Sequence, residues 1–359
     1  MKILYITNGT NGSGGLERVL SIKASYFAEN NYQVSILVLN NAHENSFYEF
    51  SNKINFYSID VKGHPILYLK LYANGIRKTV KSLQPDIISI CDDALKAFLI
   101  PQFLKTDSKI IYERHVSKLI ELKVGYNVFQ KIYTKIKWFL MEKLAGKFSK
   151  FVVLTEGNKK EWKLLNNIAV IPNSLSFYPD TSSNLNNKIV ICVGKISYQK
   201  GQDLLIKAWK DVYKKHPDWQ LHLYGKEDIN FLDANNLSHN IFYFPSTKDI
   251  EQKYLQSSVC VMSSRFEGFG MVLIEAMACG VPCVSFNCDH GPSEIIRNNK
   301  DGFIVEKENI YELAEKINIL IENKDLRKKM GKYAKENVLR FSPKIVVAKW
   351  DQLFKLLKS

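Results

Sequence analysis

The chain has 359 residues, 46% hydrophobic and 24% charged, which excludes a disordered, fibrous or low-complexity protein. At roughly 150 to 200 residues per domain, this length predicts two domains. Fifty Lys and Arg against 36 Asp and Glu leave a net charge of +14, which points to an anionic partner. No apolar run reaches the roughly 18 to 20 residues of a membrane-spanning helix, because Asp92, Asp93 and Lys96 interrupt the best candidate. The opening apolar run is too short for a signal-peptide core, so a cytoplasmic location is expected.

In chain order, residues 3–7 read as an apolar strand, 9–15 as a glycine-rich loop, Leu16 to Glu29 as an amphipathic helix and Val34 to Leu39 as a second strand. Further strands are expected at Asp86 to Ile90, Ile110 to Tyr112, Phe151 to Leu154 and Ala169 to Ile171, with a long basic helical region from Tyr126 to Lys147 between them. The polar stretch Asp180 to Asn187 reads as a linker between domains 1–180 and 181–343. The strand, glycine loop, helix, strand order then recurs, with strands at Ile189 to Val193 and Leu221 to Tyr224 around a helix at Gln202 to Lys215. Helices follow at Asn309 to Glu322, Leu326 to Leu339 and, after the Ser342-Pro343 break, 344–359, the last expected to complete the first domain. This alternation predicts an α/β protein with two parallel sheets, each binding ligands at the carboxyl ends of its strands.

Three segments carry candidate chemistry. The loop Gly9 to Gly15 lets backbone amides approach a phosphate or sugar oxygen at a helix start. It lacks the acidic partner of a nicotinamide site, since Asn40 ends the second strand, and the Gly-Lys-Ser/Thr of a P-loop, since Leu16-Glu17 follows. The loop Gly194 to Gly201 sets Lys195 and Lys200 beside flexible glycines, a pairing suited to a diphosphate. Glu267 and Glu275, eight residues apart around Gly268-Phe269-Gly270, would be separated by about 12 Å were the interval helical, which suits one carboxylate for a sugar and one for a ribose. Six cysteines read as reduced core residues, Cys279, Cys283, Cys288 and His290 fit no common zinc spacing, and Asp92-Asp93 superficially suggests a metal-binding carboxylate pair.

Gly14 to Arg18, the Gly-Lys-x4-Lys-Gly loop, the Glu-x7-Glu segment and Gly291 to Ile296 together resemble glycosyltransferase family 4, most closely the members that build bacterial surface polysaccharides. The resemblance implies the GT-B fold, two Rossmann-like domains facing a central cleft, and sugar transfer from a nucleotide donor with retention at the anomeric carbon. It implies donor binding by Gly14, Gly15, Gly194, Lys195, Lys200, Glu267, Gly268, Phe269, Gly270 and Glu275, with Glu267, Lys200 and His115 as the catalytic group. Lys195 stands where the family more often has Arg. The implied donor is a UDP-hexose or UDP-N-acetylhexosamine, with no cofactor and no metal, and the implied acceptor is a glycan or lipid-linked oligosaccharide. Another GT-B enzyme such as a sugar-nucleotide epimerase, or a non-catalytic nucleotide-sugar-binding protein, is the alternative.

From Lys118 to Lys163 eleven Lys stand against four Glu, interleaved with aromatic residues. This is the pattern of a helix on an anionic membrane surface, with Lys131, Lys135, Lys137 and Trp138 as the contact patch. A peripheral position on the inner face of the cell membrane is expected. No nucleic-acid recognition motif accompanies the charge, so nucleic acid is not an expected partner.

Overall fold

The computed structural model describes residues 1–122, 125–226 and 239–358. They form two compact units, one of residues 1–174 with 343–359 and one of residues 175–342. In chain order the first unit holds β1 (Lys2–Thr7), α1 (Gly15–Glu29), β2 (Gln33–Leu39), β3 (Asn55–Ile59), α2 (Pro65–Leu83), β4 (Ile87–Cys91), α3 (Leu95–Phe98), α4 (Ile100–Phe103), β5 (Lys109–Glu113), α5 (Val128–Ala145), β6 (Lys150–Val153), α6 (Glu156–Glu161) and β7 (Ile168–Val170). The second holds β8 (Ile189–Val193), α7 (Gln202–Lys215), β9 (Gln220–Tyr224), β10 (Ile241–Phe244), α8 (Ile250–Leu255), β11 (Val259–Met262), α9 (Met271–Ala278), β12 (Cys283–Phe286), α10 (Pro292–Ile295), β13 (Gly302–Val305), α11 (Ile310–Glu322) and α12 (Lys324–Val338). The last helix, α13 (Pro343–Lys358), belongs to the first unit.

Among the described residues the first sheet runs β3-β2-β1-β4-β5-β6-β7 and the second β10-β9-β8-β11-β12-β13, with every pairing parallel. Strand order reverses beside β1 and beside β8, so each sheet opens a crevice at the carboxyl ends of those strands. The central strands are apolar on both faces because helices cover both. In β1, Leu4 and Ile6 enter the core beneath α2 and α5, while Ile3 and Tyr5 enter the one beneath α1 and α13. α13 is held there by Phe354 packing on Phe27 with ring centroids 5.3 Å apart and by Tyr32 donating to Asp351.

The contact boundary lies at Ser174/Leu175, upstream of the stretch Asp180 to Asn187 read as a linker. That stretch is fastened into the second unit. Leu185 is buried, its carbonyl accepts from Arg327 Nε and Nη2 at 3.2 and 3.0 Å, and Ser183 Oγ donates to the Ser257 carbonyl at 2.7 Å. Polarity here serves hydrogen bonding to the unit's own backbone. All six cysteines are free and buried.

Candidate active site

The loop after β8 is pinned from two sides. Gln202, buried at the start of α7, donates from Nε2 to the Lys195 carbonyl at 3.2 Å and accepts from the Ser197 amide at 3.3 Å. The chain then enters α7 through Gly201 at φ +64°, where a Cβ would lie 2.0 Å from the Ser263 carbonyl oxygen, so only glycine fits. The segment after β11 completes the clamp. Ser263 Oγ donates to the Lys200 carbonyl at 3.0 Å, the Arg265 amide to Gln199 at 2.8 Å, and the Arg265 guanidinium grips Asp203 with bonds of 2.9 and 2.7 Å.

This clamp brings Lys200 and Glu267 together across 67 residues of sequence: Lys200 Nζ donates to Glu267 Oε1 at 2.6 Å, and Ser264 Oγ donates to the same oxygen at 2.6 Å. Glu267 is buried, whereas Lys200 keeps about a quarter of its side chain open. Lys195 is exposed and makes no ion pair among the described residues. Beside Glu267 and Lys200, burial first and then the Glu267 charge push the buried Cys288 thiol well above the ordinary range, and Lys200 opposes the shift.

Gly268 and Phe269 are buried, and Phe269 packs edge-on against Phe341 at 5.4 Å. Gly270, at φ +109°, is the N-cap of α9 and supplies no side-chain cap; the Leu273 amide donates to the Gly270 carbonyl at 3.0 Å, which leaves the amides of Met271 and Val272 at the helix start to face an anion. A Cβ on Gly291 would lie 1.8 Å from the Phe269 carbonyl oxygen, which places the loop after β12 hard against this turn. The helix begins only at Met271, so the interval between the two glutamates is loop then helix and the 12 Å spacing of a continuous helix does not apply. Glu275 is buried on α9, with Oε1 accepting from Ser176 Oγ at 2.9 Å and Oε2 from the Tyr254 hydroxyl at 3.4 Å. Ser176, Tyr254, Ser264 and Gln202 are partners that sequence reading missed.

In the first unit, Gly14 caps α1 and Gly15 opens it, but the Glu17 carboxylate folds back over the loop. A Cβ on Gly12 would lie 2.3 Å from Glu17 Oε1, and one on Gly14 2.7 Å from Oε2. These glycines therefore make room for Glu17. A cavity of about 330 Å³ opens beside them at the ends of β1 and β4, lined by Asn8, Asn11, Glu17, Asp92 and Asp93 among others. Asp92 is a buried loop acid, accepting from the Ala94 amide and from Asn8 Nδ2, each at 2.9 Å.

His115 lies just past β5, its Nε2 3.2 Å from Glu113 Oε2, while its buried Nδ1 has no partner among the described residues. Glu113 is itself buried and bonded to Lys23 and to Ser89 Oγ, the latter at 2.5 Å. Burial works against its charge, but Lys23 and His115 outweigh it and hold the carboxyl down at about 2. Cys91, Glu113 and His115 present ligand atoms within 4.8 Å of one another, but the Lys23 ammonium already sits on the carboxylate and would repel a cation.

The basic segment divides. Lys131 and Lys135 are exposed on α5. Lys137 instead pairs with Glu121 and is mostly covered, and Trp138 turns inward against the core. Lys118 is buried between Glu142 and the Trp162 ring, 4.1 Å from its centroid. Lys123 lies outside the described residues. Part of the apparent surface charge is thus internal ion pairing, and Lys137 and Trp138 drop out of the expected contact patch. Among the described residues no helix is long and apolar enough to cross a membrane.

Two parallel sheets covered on both faces, the second gathering Lys200, Glu267 and the start of α9 at the carboxyl ends of β8 and β11, define a doubly wound α/β scaffold with a candidate anion site at that edge. Residues 177–337 match the family described as glycosyl transferases group 1, and residues 2–143 match glycosyl transferase 4-like. Together the matches span most of the chain, a glycosyl transferase 4-like segment in the first unit and a group 1 segment in the second, and the protein is a glycosyltransferase with the GT-B fold. It is 29% identical to the amylovoran biosynthesis glycosyltransferase AmsD of Erwinia amylovora over 98% of this chain and 99% of that protein. It is 23% identical, end to end, to a Campylobacter jejuni N-acetylgalactosaminyltransferase whose named acceptor is a glycan on diNAcBac-PP-undecaprenol. A mutant Staphylococcus aureus TarM, solved with Fondaparinux, alpha-GlcNAc-glycerol and UDP, superposes with a TM-score of 0.82 at 17% identity, covering 99% of this chain and 100% of that one. The chain thus stands among glycosyltransferases of bacterial polysaccharide biosynthesis.

Proposed function

We propose that this enzyme is a retaining glycosyltransferase that moves a hexose or N-acetylhexosamine from UDP to a lipid-linked glycan at an anionic membrane surface. The observation that carries the reading is the Lys200–Glu267 pair, with a partly open lysine, beside the uncapped start of α9. A diphosphate at the helix start meets the dipole and the ammonium groups of Lys195 and Lys200. As the glycosidic bond breaks, these groups stabilise the leaving diphosphate, which itself takes the acceptor proton in a front-face attack through an oxocarbenium-like transition state. The charge balance comes from side chains and backbone, so transfer is expected to persist in a chelator. Glu267 positions the donor sugar through a carboxylate already oriented by Ser264. Glu275, braced by Ser176 and Tyr254, is proposed to meet the ribose. His115, its Nε2 held by the buried Glu113 at the end of β5, is proposed to contact the donor sugar. The amide and carboxylate lining of the 330 Å³ cavity suits acceptor hydroxyls.

The relatives support the sugar and acceptor classes, since one names an undecaprenol-linked acceptor and another was solved with UDP and a GlcNAc glycoside. A panel of UDP-, GDP- and ADP-sugars offered with a lipid-diphosphate-linked acceptor tests the reading, with the product anomer read by NMR. Transfer from a UDP-sugar with the donor's anomeric configuration is expected. An inverted product, or conversion of donor without acceptor, would contradict it.

A further inference from the structure

α5 is apolar on two opposite faces. Thr134, Trp138, Met141 and Ala145, spaced by three and four residues, face the first unit's core. Phe129, Ile132, Tyr133, Ile136, Phe139 and Leu140 follow the same spacing on the opposite side and are all exposed, Phe129 to 82%, Tyr133 to 68% and Ile136 to 61%. A helix needs one apolar stripe to join a core, and a second, contiguous one left in water is a docking surface. Its charge selects the occupant. Lys131 and Lys135 flank the ridge, and Lys143, its ammonium 4.9 Å above the Phe139 ring, lies on it. The helix's one acid, Glu142, is turned away and bound to Lys118 and the Leu164 amide. A second copy packing face to face would set these lysines against each other, whereas anionic lipid neutralises them.

We infer that the outer face of α5 is an insertion surface for an anionic bilayer, in which the Phe129–Leu140 ridge enters the interfacial region and Lys131, Lys135 and Lys143 remain at the headgroups. The inference rests on the membrane-surface acceptor proposed above and identifies the element that meets the lipid. It replaces a purely electrostatic contact with one in which apolar burial supplies strength and charge supplies lipid selectivity.

The test is sedimentation with phosphatidylcholine vesicles with and without phosphatidylglycerol. The full chain is expected to bind only the anionic vesicles. Phe129→Ser with Ile136→Ser should weaken binding by about tenfold or more at any salt concentration. Lys131→Glu with Lys135→Glu should weaken it comparably at low salt, with the difference shrinking as salt rises. Because the native cysteines are buried, an environment-sensitive fluorophore on Phe129→Cys reports insertion directly by a blue shift. Equal binding to neutral and anionic vesicles, no binding, or concentration-dependent self-association that buries the label without lipid would each overturn the inference. Transfer to a water-soluble acceptor, unchanged in the ridge variants, separates this outcome from failure of the transferase reading.

Discussion

Lys23 and Glu113 form a buried ion pair whose carboxylate also accepts from Ser89, and the Lys23 ammonium lies 4.0 Å from the centre of the Trp350 ring. Removing one charge strands the other in the core, so Lys23→Met should cost about 3–5 kcal/mol in urea unfolding, and adding Glu113→Gln should recover part of the loss. The pH dependence follows from the sign of the shift. Folding lowers the Glu113 carboxyl to about 2, against roughly 4.3 when unfolded, so its contribution is fully present above the unfolded value. It should fade as pH falls from roughly 4.5 toward 2, and Glu113→Gln should flatten the stability profile in that window. None of these partners was legible in the sequence, because Lys23 and Glu113 are 90 residues apart and a lone Lys on a helix reads as solvated. Ser176 escaped for the same reason, standing 99 residues from the Glu275 it braces. Lys200, Glu267 and Glu275 stood out because their glycine-framed motifs impose local geometry whatever the rest of the chain does.

The turns that present the site depend on backbone close approach. Gly201→Ala combines a left-handed conformation with a Cβ 2.0 Å from a carbonyl oxygen, so it should cost about 1–3 kcal/mol and lower the melting temperature by roughly 3–10 °C. Because the same turn carries Lys200, UDP affinity should fall with it. Unchanged melting and UDP affinity would show that the loop is not held as described. Among the strands flanking the crevices, β1, β4 and β8 were legible as short apolar runs, since burial on both faces removes polar alternation, whereas β11 was not read. β3 and α2 were not. β3 is an edge strand with half-exposed residues, and α2 begins with exposed Ile66, Leu67 and Leu69, which blur its helical period. Gly75 in α2 looks like a breaker, yet a Cβ there would lie 2.7 Å from Ile59 Cγ2, so it serves close packing of helix on strand. α5 misled in the opposite way: its aromatic residues were legible, but only packing shows that Trp138 faces inward while Phe129 and Phe139 do not.

At the scale of the whole chain, the buried pairs Lys23–Glu113 and Lys118–Glu142 cancel internally, so the net charge of +14 is carried outside them, in part by Lys195 in the loop after β8 and by Lys131 and Lys135 on α5. The C-terminal helix ties the chain's end to its first unit, where Trp350 covers Lys23 and Phe354 covers Phe27. Deleting 343–359 should make the first unit the faster site of limited proteolysis while the second keeps UDP affinity within a few-fold, as measured by calorimetry. Loss of UDP binding in that truncation would mean that the donor site is not confined to the second unit. The central claim is that Glu267, oriented by Lys200 and Ser264, acts on the donor sugar. The measurement that tests it most directly compares Glu267→Gln with the native enzyme in both sugar transfer and UDP affinity. The account predicts a transfer rate lower by about 100-fold or more, with UDP binding changed only a few-fold; a variant that transfers sugar at the native rate would contradict it.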